Sequence, residues 1–265
     1  MPAPAARPLQ DYLAYLFDVD GTLVYQAHAI EGAARTLHAL KAAGKHVLAV
    51  TNNTSLNREG LAARFREFGL PLTDGEVFSA LSAAAQLIAE EQPGARVYVF
   101  GNPGLHDEVA RKGLTVTTEP TADYLVVGNH RTVTYADLTG AMRALLGGAR
   151  FIVLNLDRTF IGPDGGPIPG CGTFVAAFER ATGRAPDVVV GKPSATLLHE
   201  AAASVDTRPA DCLFVGDNPE ADVAGAHAAG MAALLVLTGV AQHVDDRLPP
   251  PEHVLPSVAD LAALF

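Results

Sequence analysis

Apolar residues in this chain fall into short runs separated by longer stretches with helical spacing. The runs predict strands over 13–17, 46–51, 96–100, 124–128, 151–155, 187–190, 212–216 and 232–237. Val and Leu dominate several of them, the composition of parallel strands buried on both faces. The stretches between them predict helices over 31–43, 57–69, 80–91, 104–112, 135–147, 172–182, 194–204, 219–229 and 257–264. Such alternation gives an α/β fold whose parallel strands are joined by right-handed crossovers. Pro and Gly crowd the stretch 162–172, which is predicted as a loop.

Composition narrows the picture. With 265 residues, 49% of them hydrophobic and 18% charged, the chain can bury one large core or two smaller ones. A net charge of -10 speaks against binding nucleic acid, which needs clustered Lys and Arg. An anionic substrate must instead be attracted locally, by a metal or by a few placed cations. No apolar run approaches the roughly 18–20 residues of a membrane helix, and the first ten residues lack an apolar signal core. A soluble cytoplasmic protein without a membrane partner is the expectation. Cys171 and Cys212 are too few for a disulfide framework. Cys212 reads as core, and Cys171 as a passive loop thiol with no identified base. The nine His residues show no zinc-ligand spacing.

The chemistry lies where strand-like runs end. Four polar motifs occupy such positions: Asp18-Val19-Asp20, Thr51-Asn52-Asn53, Gly191-Lys192-Pro193, and Gly216-Asp217-Asn218 with Asp222 beyond it. In an open α/β sheet the carboxyl ends of the strands form one edge, where ligands bind. Each motif alone reads as a turn, a cap or an exposed Lys; together they converge. Asp18 can attack phosphorus and form an aspartyl-phosphate. A phosphate dianion repels that carboxylate by about 8 kcal/mol at ~4 Å and an effective dielectric of ~20, which is roughly six decades of rate. A cation must cancel this repulsion, and Asp18 with Asp217 offers hard oxygen ligands suited to Mg²⁺. Lys192 adds a point charge. Thr51 and the backbone after it can hydrogen-bond phosphoryl oxygens. Asp20 can protonate the leaving oxygen and then deprotonate water. Gly21 permits the sharp turn after them.

These residues, in this order, resemble the haloacid dehalogenase superfamily. Asp18 to Thr22 match its first motif, Thr51 its second, Lys192 its third, and Gly216-Asp217 with Asp222 its fourth. The long interval between Thr51 and Lys192, the Asn52-Asn53 pair and the Gly-Lys-Pro resemble the p-nitrophenylphosphatase-like branch with a class II cap. The resemblance implies a Rossmann-like core formed by residues 1–80 and 184–265, with an inserted α/β cap over 81–183 for substrate selection. It implies a Mg²⁺-dependent phosphatase with Asp18 as nucleophile and Asp20 as general acid/base. The metal ligands would be Asp18, the Asp20 carbonyl and Asp217, supported from behind by Asn218 and Asp222. Thr51, Asn52, Asn53 and Lys192 would hold the phosphoryl group. Such enzymes often form homodimers. In the cap, Asn155-Leu156-Asp157 stands where the branch commonly has Asn-Pro-Asp, and Gly128-Asn129-His130-Arg131 where it often has Gly-Leu-Asp-Arg. Asn155, Asp157 and Arg158 are the candidates for choosing the substrate, a small phosphorylated metabolite.

Three other functions compete. Halide removal from a haloacid is disfavoured by Asp20, since a halide leaves without a proton. Among phosphotransferases of the same superfamily, a phosphomutase usually carries a different, helical cap. A non-catalytic phosphometabolite-binding protein would be expected to have lost the nucleophile or a metal carboxylate, and all are present.

Overall fold

The apolar runs become the strands of two separate parallel sheets. The computed structural model describes residues 7–25, 28–54, 56–161, 166–245 and 247–265, with the backbone alone at 160 and 161. The chain divides into two compact units. The first holds Met1–Thr51, Arg58–Phe78 and Lys192–Phe265, and the second holds Asn52–Asn57 and Ser79–Gly191.

The first unit is built on a six-stranded sheet. Its strands run across the sheet in the order His253–Leu255, Ala232–Val236, Cys212–Gly216, Ala14–Phe17, His46–Thr51 and Val77–Ser79. Ala14–Phe17 lies near the middle and pairs in parallel with both neighbours, Phe17 standing opposite Val215 on one side and Ala49 on the other. That register brings Asp18, Asp217 and Thr51 to the same edge of the sheet. Ala14–Phe17 and Cys212–Gly216 are buried throughout, as the unbroken apolar runs require. Tyr15, Leu16, Phe17 and Phe214 are almost wholly enclosed; each apolar side chain so buried contributes about 1.5–3 kcal/mol.

The second unit has its own five-stranded sheet, in the order Val188–Val189, Arg150–Val153, Tyr124–Val127, Arg96–Phe100 and Thr115–Thr117, with every pairing parallel. Its core gathers Phe100, Leu125, Phe151 and Phe178. Two of its helices start with a side-chain cap. Ser79 accepts from the Ser82 amide before Ala80–Glu91, and Thr134 from the Asp137 amide before Tyr135–Leu146. The α/β class with parallel sheets is therefore as expected.

Several elements differ from expectation. The expected boundary at 183/184 lies at Gly191/Lys192, because Val188 and Val189 pair with Ile152 and Val153 of the second sheet. On the other side it falls after Phe78 rather than after residue 80, and 52–57 also cluster with the second unit. The predicted loop 162–172 contains a strand, Pro167–Pro169, that pairs antiparallel with Thr159–Ile161. Pro is tolerated in such a two-stranded ribbon because its missing N–H can face away from the partner. Residues 162–165 of that loop, like 1–6 of the N-terminal segment, lie outside the described residues. The predicted helix 219–229 is a wide π turn, Pro219–Val223, followed by the short α-helix Ala224–Ala228. Among the described residues, no helix is long and apolar enough to cross a membrane.

Candidate active site

The sheet edge of the first unit assembles four of the predicted residues into one ionic cluster. Lys192 Nζ lies 2.5 Å from Asp18 Oδ1 and 2.7 Å from Asp222 Oδ1. Asp222 Oδ2 accepts the amides of Asp217 and Asn218, each at 3.0 Å. The π turn makes this possible. Asn218 starts it, accepting the Glu220 and Ala221 amides on Oδ1 and the Asp222 amide on its carbonyl, and Asp222 is thereby folded back onto the end of its own strand. Both Asp222 oxygens are thus committed within the protein, so Asp222 supports the site rather than facing a ligand. Asp18, Thr51, Lys192, Asp217 and Asp222 are all buried.

Burial and charge set the protonation states. Burial alone would lower the pKa of Lys192, but Asp18 and Asp222 outweigh it and raise it, so the side chain stays an ammonium. Burial pushes the Asp18 carboxyl well above its ordinary range; Lys192 opposes that push, and Asp222 and Asp217 add to it. Burial likewise lifts Asp217 to about 6, with Asp222 adding to the shift and the Val240 amide and Lys192 opposing it. Asp20 is exposed at its surface, yet the protein packed around it desolvates the carboxyl and raises its pKa against the pull of Arg64 and Lys192. A carboxyl raised in this way keeps its proton to higher pH, as a general acid must.

The donor set suits a hard divalent cation. Among the described residues, Asp18, Asp217 and Asp222 form a buried group with candidate ligand atoms within 4.8 Å of one another. Asp222 is occupied, and Asp217 Oδ2 accepts the Val240 amide at 2.5 Å. The second oxygen of Asp18 and Oδ1 of Asp217 remain, and two anionic oxygens suit Mg²⁺. The thiols take no part. Burial raises Cys171 to about 12 and Cys212 to about 11, so neither supplies a thiolate.

A stability measurement follows from Asp217. In the metal-free native state its proton is held up to a pH near 6, whereas the unfolded carboxyl releases it near 4. The native state then binds more protons than the unfolded one, and the contribution of this group falls as pH rises through that window. Metal-free Asp217→Asn should therefore gain about 3 kcal/mol on the wild type between about pH 4 and pH 7. Denaturant unfolding in chelator checks this, and a difference independent of pH would contradict it.

The remaining predicted residues are placed in the second unit. Asn155 is 2% exposed, and its Nδ2 donates to the Asn52 carbonyl at 3.0 Å while its Oδ1 accepts the Asp157 amide. It steadies the backbone that follows Thr51, rather than pointing outward as a substrate candidate would. Asn53 Oδ1 accepts the Leu56 amide at 3.2 Å. Asp157 and Arg158 are exposed, and Arg158 lines a cleft of about 590 Å³ within this unit, beside Leu156 and Glu179. Two contributors were not singled out from the sequence. Arg64, on the helix Arg58–Glu67, acts on Asp20 through charge alone, and nothing in the sequence separates it from the other arginines of that helix. The Val240 amide is a backbone donor, which leaves no mark in a sequence.

Comparison with known proteins fits this geometry. A model of haloacid dehalogenase-like hydrolases matches residues 15–115, and a second HAD-like hydrolase model matches 189–261. The chain is 35% identical to the 5'-nucleotidase YutF of Bacillus subtilis over 95% of its own length and 98% of that protein. The chain belongs to the haloacid dehalogenase-like hydrolases. Among solved structures of this family, a p-nitrophenyl phosphatase from Archaeoglobus fulgidus superposes with a TM-score of 0.92 at 38% identity, covering 96% of this chain and all of that one. A glycerol phosphate phosphatase from Mycobacterium tuberculosis, solved in complex with magnesium, matches with a TM-score of 0.85 at 34% identity, covering 96% of this chain and 78% of that one. The resemblance read from the four motifs, to the p-nitrophenylphosphatase-like branch, is borne out.

Proposed function

We propose that this hydrolase is a Mg²⁺-dependent phosphomonoesterase that works through an aspartyl-phosphate on Asp18. The observation that carries the reading is the Asp18–Lys192–Asp222 cluster with Asp217 beside it, which gives a nucleophile, a fixed ammonium and a ligand pair at one sheet edge. Relatives named for nucleotides, nitrophenyl phosphate and glycerol phosphate support a small phosphomonoester as substrate.

A carboxylate oxygen of Asp18 attacks phosphorus, and the bond from phosphorus to the leaving oxygen breaks. Asp20, protonated, gives its proton to that oxygen as the alcohol departs. In the second half Asp20, now a carboxylate, takes a proton from water, whose oxygen attacks the same phosphorus and releases inorganic phosphate and the Asp18 carboxylate. Asp18 and Asp217 would hold the metal, which when bound would neutralise charge on the phosphoryl group. Lys192 supplies a second, fixed positive charge, and Thr51 and the Asn52 backbone orient phosphoryl oxygens. Asn155 fixes the Asn52 carbonyl within the second unit, which we assign as the cap that selects the alcohol, with Asp157 and Arg158 as its exposed candidates.

The expected result is hydrolysis of p-nitrophenyl phosphate that requires Mg²⁺, is lost in chelator and returns when the metal is restored. Turnover unaffected by chelation would overturn the metal dependence, and no turnover between pH 5 and pH 9 with metal present would overturn the enzyme reading.

A further inference from the structure

We infer that Gly239 and the hydrogen bonds around it aim Asp217, leaving one carboxylate oxygen, Oδ1, to face the metal. The inference rests on the metal-dependent reading above. Thr238 to Ala241 follow the strand Ala232–Val236 and wrap the end of the neighbouring strand, which carries Asp217. The Val240 amide donates to Asp217 Oδ2 at 2.5 Å, and the Ala241 amide donates to the Asp217 carbonyl at 3.0 Å. Thr238 Oγ1 donates to the Gly21 carbonyl at 2.6 Å, tying the same loop to the turn after Asp20.

Two glycines wall the carboxylate in. A Cβ on Gly239 would lie 2.6 Å from Asp217 Cγ and closer still to Oδ2, and one on Gly21 would lie 2.7 Å from the same Cγ. The two backbones also meet, since the added Cβ of Gly239 would stand 2.8 Å from Gly21 Cα. Gly21 has φ +94, so a substitution there is strained whatever the space. Gly239 lies outside the left-handed region, so an added Cβ is opposed there by its neighbours, the Asp217 carboxylate first and the Gly21 backbone second. Burial does not hold Val240 in place, because its side chain is 69% exposed, while Ala241 after it is buried. The loop's hydrogen bonds go to Asp217 and Gly21. With Oδ2 walled in and bonded, the carboxylate presents Oδ1, and a methyl at 239 pushes on the carboxylate and on the Gly21 backbone that wall it in.

Gly239 and Thr238 are therefore positioning residues for metal affinity, and metal binding tests them without turnover. Mn²⁺ is titrated into the purified full chain and followed by electron paramagnetic resonance, with Mg²⁺ as competitor. The wild type should bind Mn²⁺ and release it to Mg²⁺. Gly239→Ala should bind at least tenfold more weakly while its far-ultraviolet circular dichroism is unchanged. Thr238→Val should also weaken binding, and Thr238→Ser, which keeps the donor, should restore it. Gly75→Ala is the control, because no atom lies within 4 Å of the added Cβ, and it should match the wild type. A folded Gly239→Ala that binds within twofold of the wild type overturns the inference alone. If that variant does not fold, Thr238→Val decides, and wild-type affinity there overturns it. A wild type that binds neither metal overturns the metal-dependent reading and the inference with it.

Discussion

Asp18→Asn should lower p-nitrophenyl phosphate turnover by roughly five to six decades, the scale seen when a covalent nucleophile is removed. The amide keeps the shape of the carboxylate but has lost its nucleophilicity, and no other described side chain at the sheet edge stands in its place. The fold should survive. Asp18 is buried, and burial already pushes its carboxyl toward the neutral form. A neutral amide there removes a desolvated charge and leaves the Lys192–Asp222 pair at 2.7 Å in place. Thermal unfolding of the variant is therefore expected close to that of the wild type, while steady-state assays show the loss. Turnover within tenfold of wild type would move the nucleophile elsewhere.

Lys192→Met should be severe in both respects. Methionine fills much of the same space but leaves Asp18 and Asp222 without the ammonium that bridges them. Removing one partner of a buried ion pair costs about 3–5 kcal/mol, because the other charge is left unpaired. Turnover should fall about 10²–10³-fold through the lost charge on the phosphoryl group. The pH dependence identifies the cause. The native pKa of Lys192 is raised, so its contribution is complete below the unfolded value near 10.5 and is lost only above its native one. It is thus constant through neutral pH in the wild type. In the variant the stranded Asp18 carboxyl, raised by burial and no longer opposed by Lys192, takes up a proton as pH falls, so the stability deficit should shrink on acidification. Denaturant unfolding from pH 5 to pH 8 measures it, and a deficit that grows on acidification would contradict the assignment.

The first unit was largely legible in the apolar pattern. Ala14–Phe17, His46–Thr51 and Cys212–Gly216 are runs of four to six residues, nearly all buried, and such runs declare themselves. Val77–Ser79, Thr115–Thr117 and His253–Leu255 did not, since three residues carry no measurable period. The unit boundary was misplaced because Val188 and Val189 suit either sheet, and pairing with Ile152 and Val153 is a long-range choice. At the site, Asp18, Lys192, Asp217 and Asp222 were readable because charged residues at strand ends need a reason to be there. The role of Asn155 was not. Its type and position suggested a substrate contact, whereas burial and two hydrogen bonds turn it inward to hold Asn52. The support given by Val240 and Gly239 depends on backbone atoms and on space, neither of which is a side-chain signal.

Covalent transfer of the phosphoryl group to Asp18 leaves an adduct that can be trapped. Asp20→Asn, which cannot activate water, is mixed with p-nitrophenyl phosphate and Mg²⁺, quenched in acid and digested for peptide mass spectrometry. The peptide containing Asp18 should carry one added phosphoryl group that hydroxylamine removes, and Asp18→Asn should carry none. A burst of nitrophenol with no acyl phosphate on that peptide, or a phosphoryl group on another residue, would contradict it.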